Sequence, residues 1–91
     1  MHLKIPKTFQ LGGRTWKVKR VGKKRWYGRC IAGRCQIEIA ECRSKEEELH
    51  TFLHELTHAI MYTMGRKKLF SDEYFVDSSS SLLLQALKSA E

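Results

Sequence analysis

Apolar and polar residues alternate with a period of two along the first part of the chain, the pattern of strands with one buried face. Within residues 14–19, Trp16 and Val18 fall on one side and polar residues on the other. Residues 26–31 and 35–40 read as two further strands joined by a short turn, and residues 3–9 are a candidate edge strand. The pattern predicts an N-terminal antiparallel sheet of three to four strands.

From residue 44 onward the apolar positions recur mostly at intervals of three and four residues, the period of an amphipathic helix. Ser44 and Glu47 form a capping box at its start, and Gly65 is a typical end signal. The pattern predicts a helix over about residues 45–64.

A second helical pattern follows a basic loop at residues 66–68. Ser71 is the expected cap, and the apolar stripe predicts a helix over about residues 72–90. The predicted fold class is therefore α+β, with the sheet first and two helices after it.

A chain of 91 residues has room for one modest core, so we expect a single domain over residues 1–91. Residues 1–43 form its basic sheet part and residues 44–91 its two-helix part. No apolar run is long enough to span a membrane, and the first residues lack the apolar core of a signal peptide. We expect a cytoplasmic protein with no membrane partner.

Charge is segregated along the chain, whose net charge is +7. The first 35 residues carry eleven basic side chains and no acidic one. A polyanion such as nucleic acid is one expected partner of this half; the alternative is a solvated basic sheet face with its aromatic residues in the core. The candidate nucleic-acid-binding residues are Lys17, Lys19, Arg20, Lys23, Lys24, Arg25 and Arg29.

The three cysteines, at positions 30, 35 and 42, match neither paired zinc knuckles nor a small disulfide framework. Reduced thiols are the expected state. A zinc site held by the cysteines would need a further ligand, and His2 or His50 would have to supply it.

The strongest chemical signal is the five-residue motif that runs from His54 to His58 in the middle of the first predicted helix. Residues four apart share a helical face, so both imidazoles can reach one metal ion. Glu55 beside the first histidine can take a proton from a zinc-activated water. The alternative interpretation is an amphipathic helix with these polar residues on its surface.

A catalytic zinc needs a third protein ligand and an open fourth position. Glu73 and Asp77, four residues apart on the second helix, are the candidates. We expect His50 to be no ligand, because three residues that span two helical turns do not converge easily on one ion.

The two helical motifs resemble those of the gluzincin metallopeptidases, and the small size and element order are similar to phage-encoded and SprT-like zincins. The resemblance implies Glu73 as the third zinc ligand, with Asp72 as the alternative, and Asp77 as the acceptor that orients a ligand imidazole. Compared with larger gluzincins, the connection from His58 to Glu73 is short and no separate substrate-binding lobe follows.

The resemblance further implies a zinc metallopeptidase that hydrolyses peptide bonds of a protein or peptide, with Glu55 as general base. Its substrate would add as a strand beside residues 36–40. Tyr62, Tyr74 and Arg66 are candidates for stabilising the oxyanion. The alternative function is a non-catalytic, zinc-stabilised module that binds nucleic acid or protein.

Overall fold

The computed structural model describes residues 4–42 and 44–90, which form a sheet of four strands and three helices. The predicted α+β class, sheet first and helices after, is confirmed. The strands are β1 (Thr8–Leu11), β2 (Arg14–Arg20), β3 (Gly28–Ile31) and β4 (Gln36–Ile39); the helices are α1 (Lys45–Thr63), α2 (Lys67–Phe70) and α3 (Glu73–Ser89).

The sheet is mixed, with the strand order β1-β2-β4-β3. Strands β1 and β2 form an antiparallel hairpin, and so do β3 and β4, but β2 pairs in parallel with β4. The expectation of a purely antiparallel sheet was wrong at this one pairing. The chain passes from β2 to the far edge of the sheet and returns as β4, so β4 is central and β3 is an edge strand.

Inward-facing side chains of the strands meet the helices in one hydrophobic core. Trp16, Ile37 and Ile39 are almost completely buried on the sheet side, and Phe52 and Leu53 face them from α1. Phe9 stacks on Trp16 with ring centroids 6.0 Å apart, across the β1–β2 pair. The helices therefore cover one face of the sheet, and their packing against it fixes the position of α1.

Capping explains where the helices begin. Ser44 Oγ accepts a hydrogen bond from the backbone N–H of Glu47 at 3.1 Å, as the capping box predicts. At α3 the cap is Asp72, whose Oδ1 accepts from Phe75 N at 3.0 Å. The predicted cap at Ser71 was wrong by one residue, because Ser71 instead ends α2.

Two shorter segments also differ from their predictions. The basic loop at residues 66–68 leads directly into α2, and β1 begins at Thr8, later than the predicted edge strand. Residue 3, where the predicted edge strand begins, lies outside the described residues, and so does His2. Within residues 4–42 and 44–90, no helix is long and apolar enough to cross a membrane.

Candidate metal centre

Helix α1 presents the histidine motif toward α3. His58 is 8% exposed and Glu55 6% exposed, while the side chain of His54 is half-buried. The sharp connection through α2 brings the first turn of α3 opposite the two histidines, so that Glu73 lies across from them. Residues of α1 and α3 that are distant in sequence thus lie next to one another.

The three expected ligands come together. His54 Nε2 lies 3.2 Å from Glu73 Oε2, and His58 Nε2 lies 3.3 Å from Glu73 Oε1. One ligand atom from each residue can be chosen so that all three lie within 4.8 Å of one another, and this group could hold a metal ion. The Glu73 side chain is 70% exposed, so solvent reaches the three-residue group from the Glu73 side.

The spacing fits a small tetrahedral ion. Ligand atoms that each lie 2.0–2.2 Å from a tetrahedral zinc are about 3.4 Å apart, which is close to the two imidazole–carboxylate distances. Two neutral imidazoles and one carboxylate also form a donor set that zinc accepts, with a fourth position left free.

Each imidazole has a second partner that turns its Nε2 toward Glu73. His58 Nδ1 lies 2.7 Å from the carbonyl oxygen of Phe70, so Nδ1–H donates there and Nε2 keeps its lone pair. His54 Nδ1 lies 3.6 Å from Asp77 Oδ1, on the side predicted for the orienting carboxylate. The Phe70 carbonyl could not be predicted from the sequence, since a backbone acceptor is positioned by α2 and not by residue type.

Asp72, the alternative ligand, has a different position. Its carboxylate caps α3, and it is not part of the three-residue group found among the described residues. His50 also stays outside that group: its Nε2 lies 3.2 Å from Ser81 Oγ and 4.0 Å from Asp77 Oδ1.

Glu55 lies beside the group but is held in a different environment. Burial, together with a smaller effect of the negative charge of Glu73, raises the pKa of its carboxyl to about 7. In the metal-free chain the protonated and ionised forms are therefore close in free energy near neutral pH. A carboxyl group with this balance can both accept and release a proton.

Two neighbouring cavities open onto His54 and Glu55. Tyr27, His50 and Asp77 line one of them, and Cys30, His58 and Glu73 line the other. Both share the wall formed by Gly28 at the start of β3. Together they form an open cleft, called here the metal cleft, between α1 and the edge strand.

Gly28 and Tyr27 line the metal cleft but were not predicted from the sequence. A Cβ at Gly28 would lie 2.5 Å from Thr51 Cγ2 and 3.2 Å from Glu55 Cγ, so only glycine lets β3 approach α1 this closely. A glycine inside a strand often marks such an approach, and that was the available signal.

Comparison of the chain with protein-family models, curated proteins and solved structures found no match. The resemblance to zincins rests on the two sequence motifs alone.

The candidates for oxyanion stabilisation do not line either cavity. Tyr62 packs its ring against Trp16 and Phe70, with centroids 6.5 and 6.1 Å apart, and Tyr74 is 83% exposed on α3. Arg66 precedes α2 and is exposed. Tyr27, in contrast, lines the metal cleft.

All three cysteines are free thiols, as expected. Cys30 lines the metal cleft, but burial, with smaller effects of Glu55 and Cys35, raises its pKa to about 12. The thiol is therefore protonated at neutral pH, and the cysteines lie outside the metal-binding group.

The candidate nucleic-acid-binding residues separate into three sets. Arg20 points toward the helices, where it forms an ion pair of 2.5 Å with Glu48. Arg29 pairs with Glu38 at 2.6 Å and covers the Trp26 ring. The others are exposed, on β2 or in the connection to β3: Lys17, Lys19, Lys23, Lys24 and Arg25.

Proposed function

We propose that this chain is a zinc-dependent metallopeptidase. The observation that carries the proposal is the convergence of His54, His58 and Glu73 from two helices, with their ligand atoms within 4.8 Å, beside the buried carboxyl of Glu55. A surface helix with merely solvated polar residues would not need the third residue, nor the burial of an acid.

In this proposal the two imidazole Nε2 atoms and the Glu73 carboxylate hold the ion. Zinc, when bound, supplies Lewis acidity that lowers the pKa of a water molecule and polarises the substrate carbonyl. Phe70 O and Asp77 fix the ring orientation of His58 and His54, which keeps both Nε2 lone pairs directed at one point.

Glu55 is the proton-transfer group. Its carboxylate takes a proton from the attacking water and delivers it to the nitrogen of the leaving amine. The low exposure of the side chain keeps bulk water away from this carboxylate, and the pKa of about 7 in the metal-free chain is consistent with transfer in both directions.

The edge strand provides a place for an extended peptide. The prediction that residues 36–40 hold the substrate was wrong, because β4 is enclosed between β2 and β3. Strand β3 is terminal in the sheet, and Gly28, Arg29 and Cys30 line the metal cleft. A substrate backbone that pairs with the free side of β3 would pass directly over His54 and Glu55.

The first test separates metal binding from catalysis. We expect about one zinc per chain in the parent protein by elemental analysis, the same content in Glu55→Gln, and loss of zinc in His58→Ala. Only the parent should cleave a fluorogenic peptide library, and the glutamine variant should lose at least about 100-fold in kcat/KM.

Other results identify the alternatives. Zinc in the parent without any cleavage supports the non-catalytic zinc-stabilised module. Equal cleavage by the parent and Glu55→Gln rejects Glu55 as the base. Absence of metal from the parent after incubation with zinc rejects the site itself.

A further inference from the structure

The sheet face opposite the helices, called here the open face, carries polar and basic side chains. Strand alternation directs Trp16 and Val18 into the core and their neighbours Lys17 and Lys19 away from it. The strand register places further outward side chains in the same rows: Thr8 and Gln36 beside Lys17, and Glu38 and Arg29 beside Lys19.

The one acidic side chain among the outward positions of the four strands is already compensated. Glu38 accepts from Arg29 Nε at 2.6 Å and from Gln36 Nε2 at 2.9 Å. Arg29, with a smaller contribution from Lys19, keeps the pKa of Glu38 below its usual value. The ammonium groups of Lys17 and Lys19 therefore face solvent over a surface with positive net charge.

Exposed cations continue past the edge of the open face into the connection between β2 and β3. Lys23, Lys24 and Arg25 are all exposed there. The acidic residues of the first turn of α1 and of α3 lie in the helical layer, on the opposite side of the sheet. The folded molecule thus keeps most of the charge segregation of the sequence. Among the described residues, the carboxylates near this surface are Glu38, which is paired, and Glu41, whose backbone N–H donates to Gly22 O beside the connection.

An aromatic platform lies within this basic surface. The guanidinium of Arg29 lies over the Trp26 ring, with Cζ 4.7 Å from the ring centroid. The outer face of a guanidinium plane held on an indole is a surface on which a nucleobase can stack. Trp16, by contrast, is 1% exposed and belongs to the core.

We propose that the open face, together with Lys23, Lys24, Arg25 and Trp26, binds single-stranded nucleic acid. The cations contact phosphates and the Trp26–Arg29 platform contacts a base, without sequence specificity. This inference does not depend on the metal centre.

Charge complementarity and the distribution of apolar residues favour this partner over an anionic membrane. The large exposed apolar residues found in the described part of the chain lie on the helices or beside α1, except Tyr27, which lines the metal cleft. A membrane-binding surface would instead combine its cations with exposed apolar side chains.

The test is fluorescence anisotropy with a labelled oligothymidylate of about 20 nucleotides, at several salt concentrations starting from about 50 mM. We expect binding by the parent and by the metal-site variant His58→Ala. Lys17→Glu combined with Lys19→Glu should weaken binding at least about tenfold. The slope of log association constant against log salt concentration should become less steep by about 1.4.

The matched control is Lys45→Glu combined with Lys68→Glu, which makes the same change in net charge at exposed positions of α1 and α2. Its affinity should stay within about threefold of the parent, since those lysines are off the open face. Lys17→Gln with Lys19→Gln gives a milder version in case the charge reversal unfolds the sheet, and circular dichroism verifies folding.

Tryptophan fluorescence locates the bound strand. Bound oligothymidylate should quench the parent emission through Trp26, and Trp26→Phe should abolish most of that quenching because Trp16 is buried. The proposal is overturned if the parent does not bind, if the two double variants lose affinity equally, or if polyglutamate or anionic vesicles bind as tightly as the oligonucleotide at equal charge concentration.

Discussion

Glu55 and its neighbour Gly28 show how single residues set the chemistry of the cleft. The carboxyl would be more exposed if β3 stood further from α1, and its pKa would then be closer to the ordinary value. The absence of a side chain at Gly28 permits the close approach. The pKa of the acid thus depends on a residue that carries no functional group.

Replacing Gly28 by alanine tests this dependence. A Cβ 2.5 Å from Thr51 Cγ2 and 3.1 Å from the Glu38 carbonyl oxygen must push β3 away from α1. We expect a loss of about 1–3 kcal/mol in the free energy of unfolding, measured by urea denaturation, and a reduced kcat for peptide cleavage.

Gly33→Ala is the matched control, because nothing lies within 4 Å of a Cβ at that position. Its stability should differ from the parent by less than about 0.5 kcal/mol. Equal stability of the two variants would mean that β3 can shift without strain, and Gly28 would then have no special role.

At the scale of elements, the two long helices were predictable because their apolar periods and caps are local. Helix α1 ends within a residue or so of its predicted limit, and the histidine motif falls at its middle as expected. The parallel pairing of β2 with β4 was not predictable, since a period-two pattern identifies a strand but not its neighbours. Helix α2 was missed because its four residues are too few for a periodic signal.

The same distinction applies to the site. The histidine motif was enough to name His54, His58 and Glu55 as candidates. Spacing left the third ligand open between Glu73 and Asp77, and the resemblance to gluzincins implied Glu73. The Phe70 carbonyl and the wall at Gly28 come from contacts between elements that are distant in sequence. The predicted Asp77 assignment agrees with its 3.6 Å distance from His54 Nδ1, whereas its role in metal binding stays a prediction.

Substitutions in the first turns of α3 separate capping from metal binding. Asp72→Asn should preserve both the helix cap and zinc affinity, while Asp72→Ala should cost about 1 kcal/mol of stability with zinc affinity nearly unchanged. Asp77→Ala should instead weaken zinc binding by about 10–100-fold. Competition with a chromophoric chelator measures the affinities.

A large loss of zinc in Asp72→Asn would make Asp72 a ligand and contradict the assignment to Glu73. Unchanged zinc affinity in Asp77→Ala would remove its orienting role.

On the scale of the whole molecule, the proposed metal joins two helices that otherwise pack on a small core. Ligands from α1 and α3 would tie the helical layer together at its open end. Because an ion that binds only the folded chain shifts the folding equilibrium, stability should follow the free zinc concentration.

We expect free zinc at about 100 times its dissociation constant to add about 2.7 kcal/mol of stability. For a domain of this size that corresponds to a rise of roughly 10–20 °C in Tm. Thermal denaturation with and without zinc measures it, and His58→Ala should show no comparable rise. A similar rise in that variant would place the stabilising ion elsewhere.

Because β4 lies between β2 and β3, the order of synthesis constrains the order of folding. The β3–β4 hairpin forms between segments that are close in sequence. Strand β2 can pair with β4 only after the connection, β3 and β4 have all been synthesised. A nascent chain that stops short of residue 36 would expose both β2 and β3 without their shared partner. Pauses in translation just before that point would therefore leave the chain most vulnerable to aggregation.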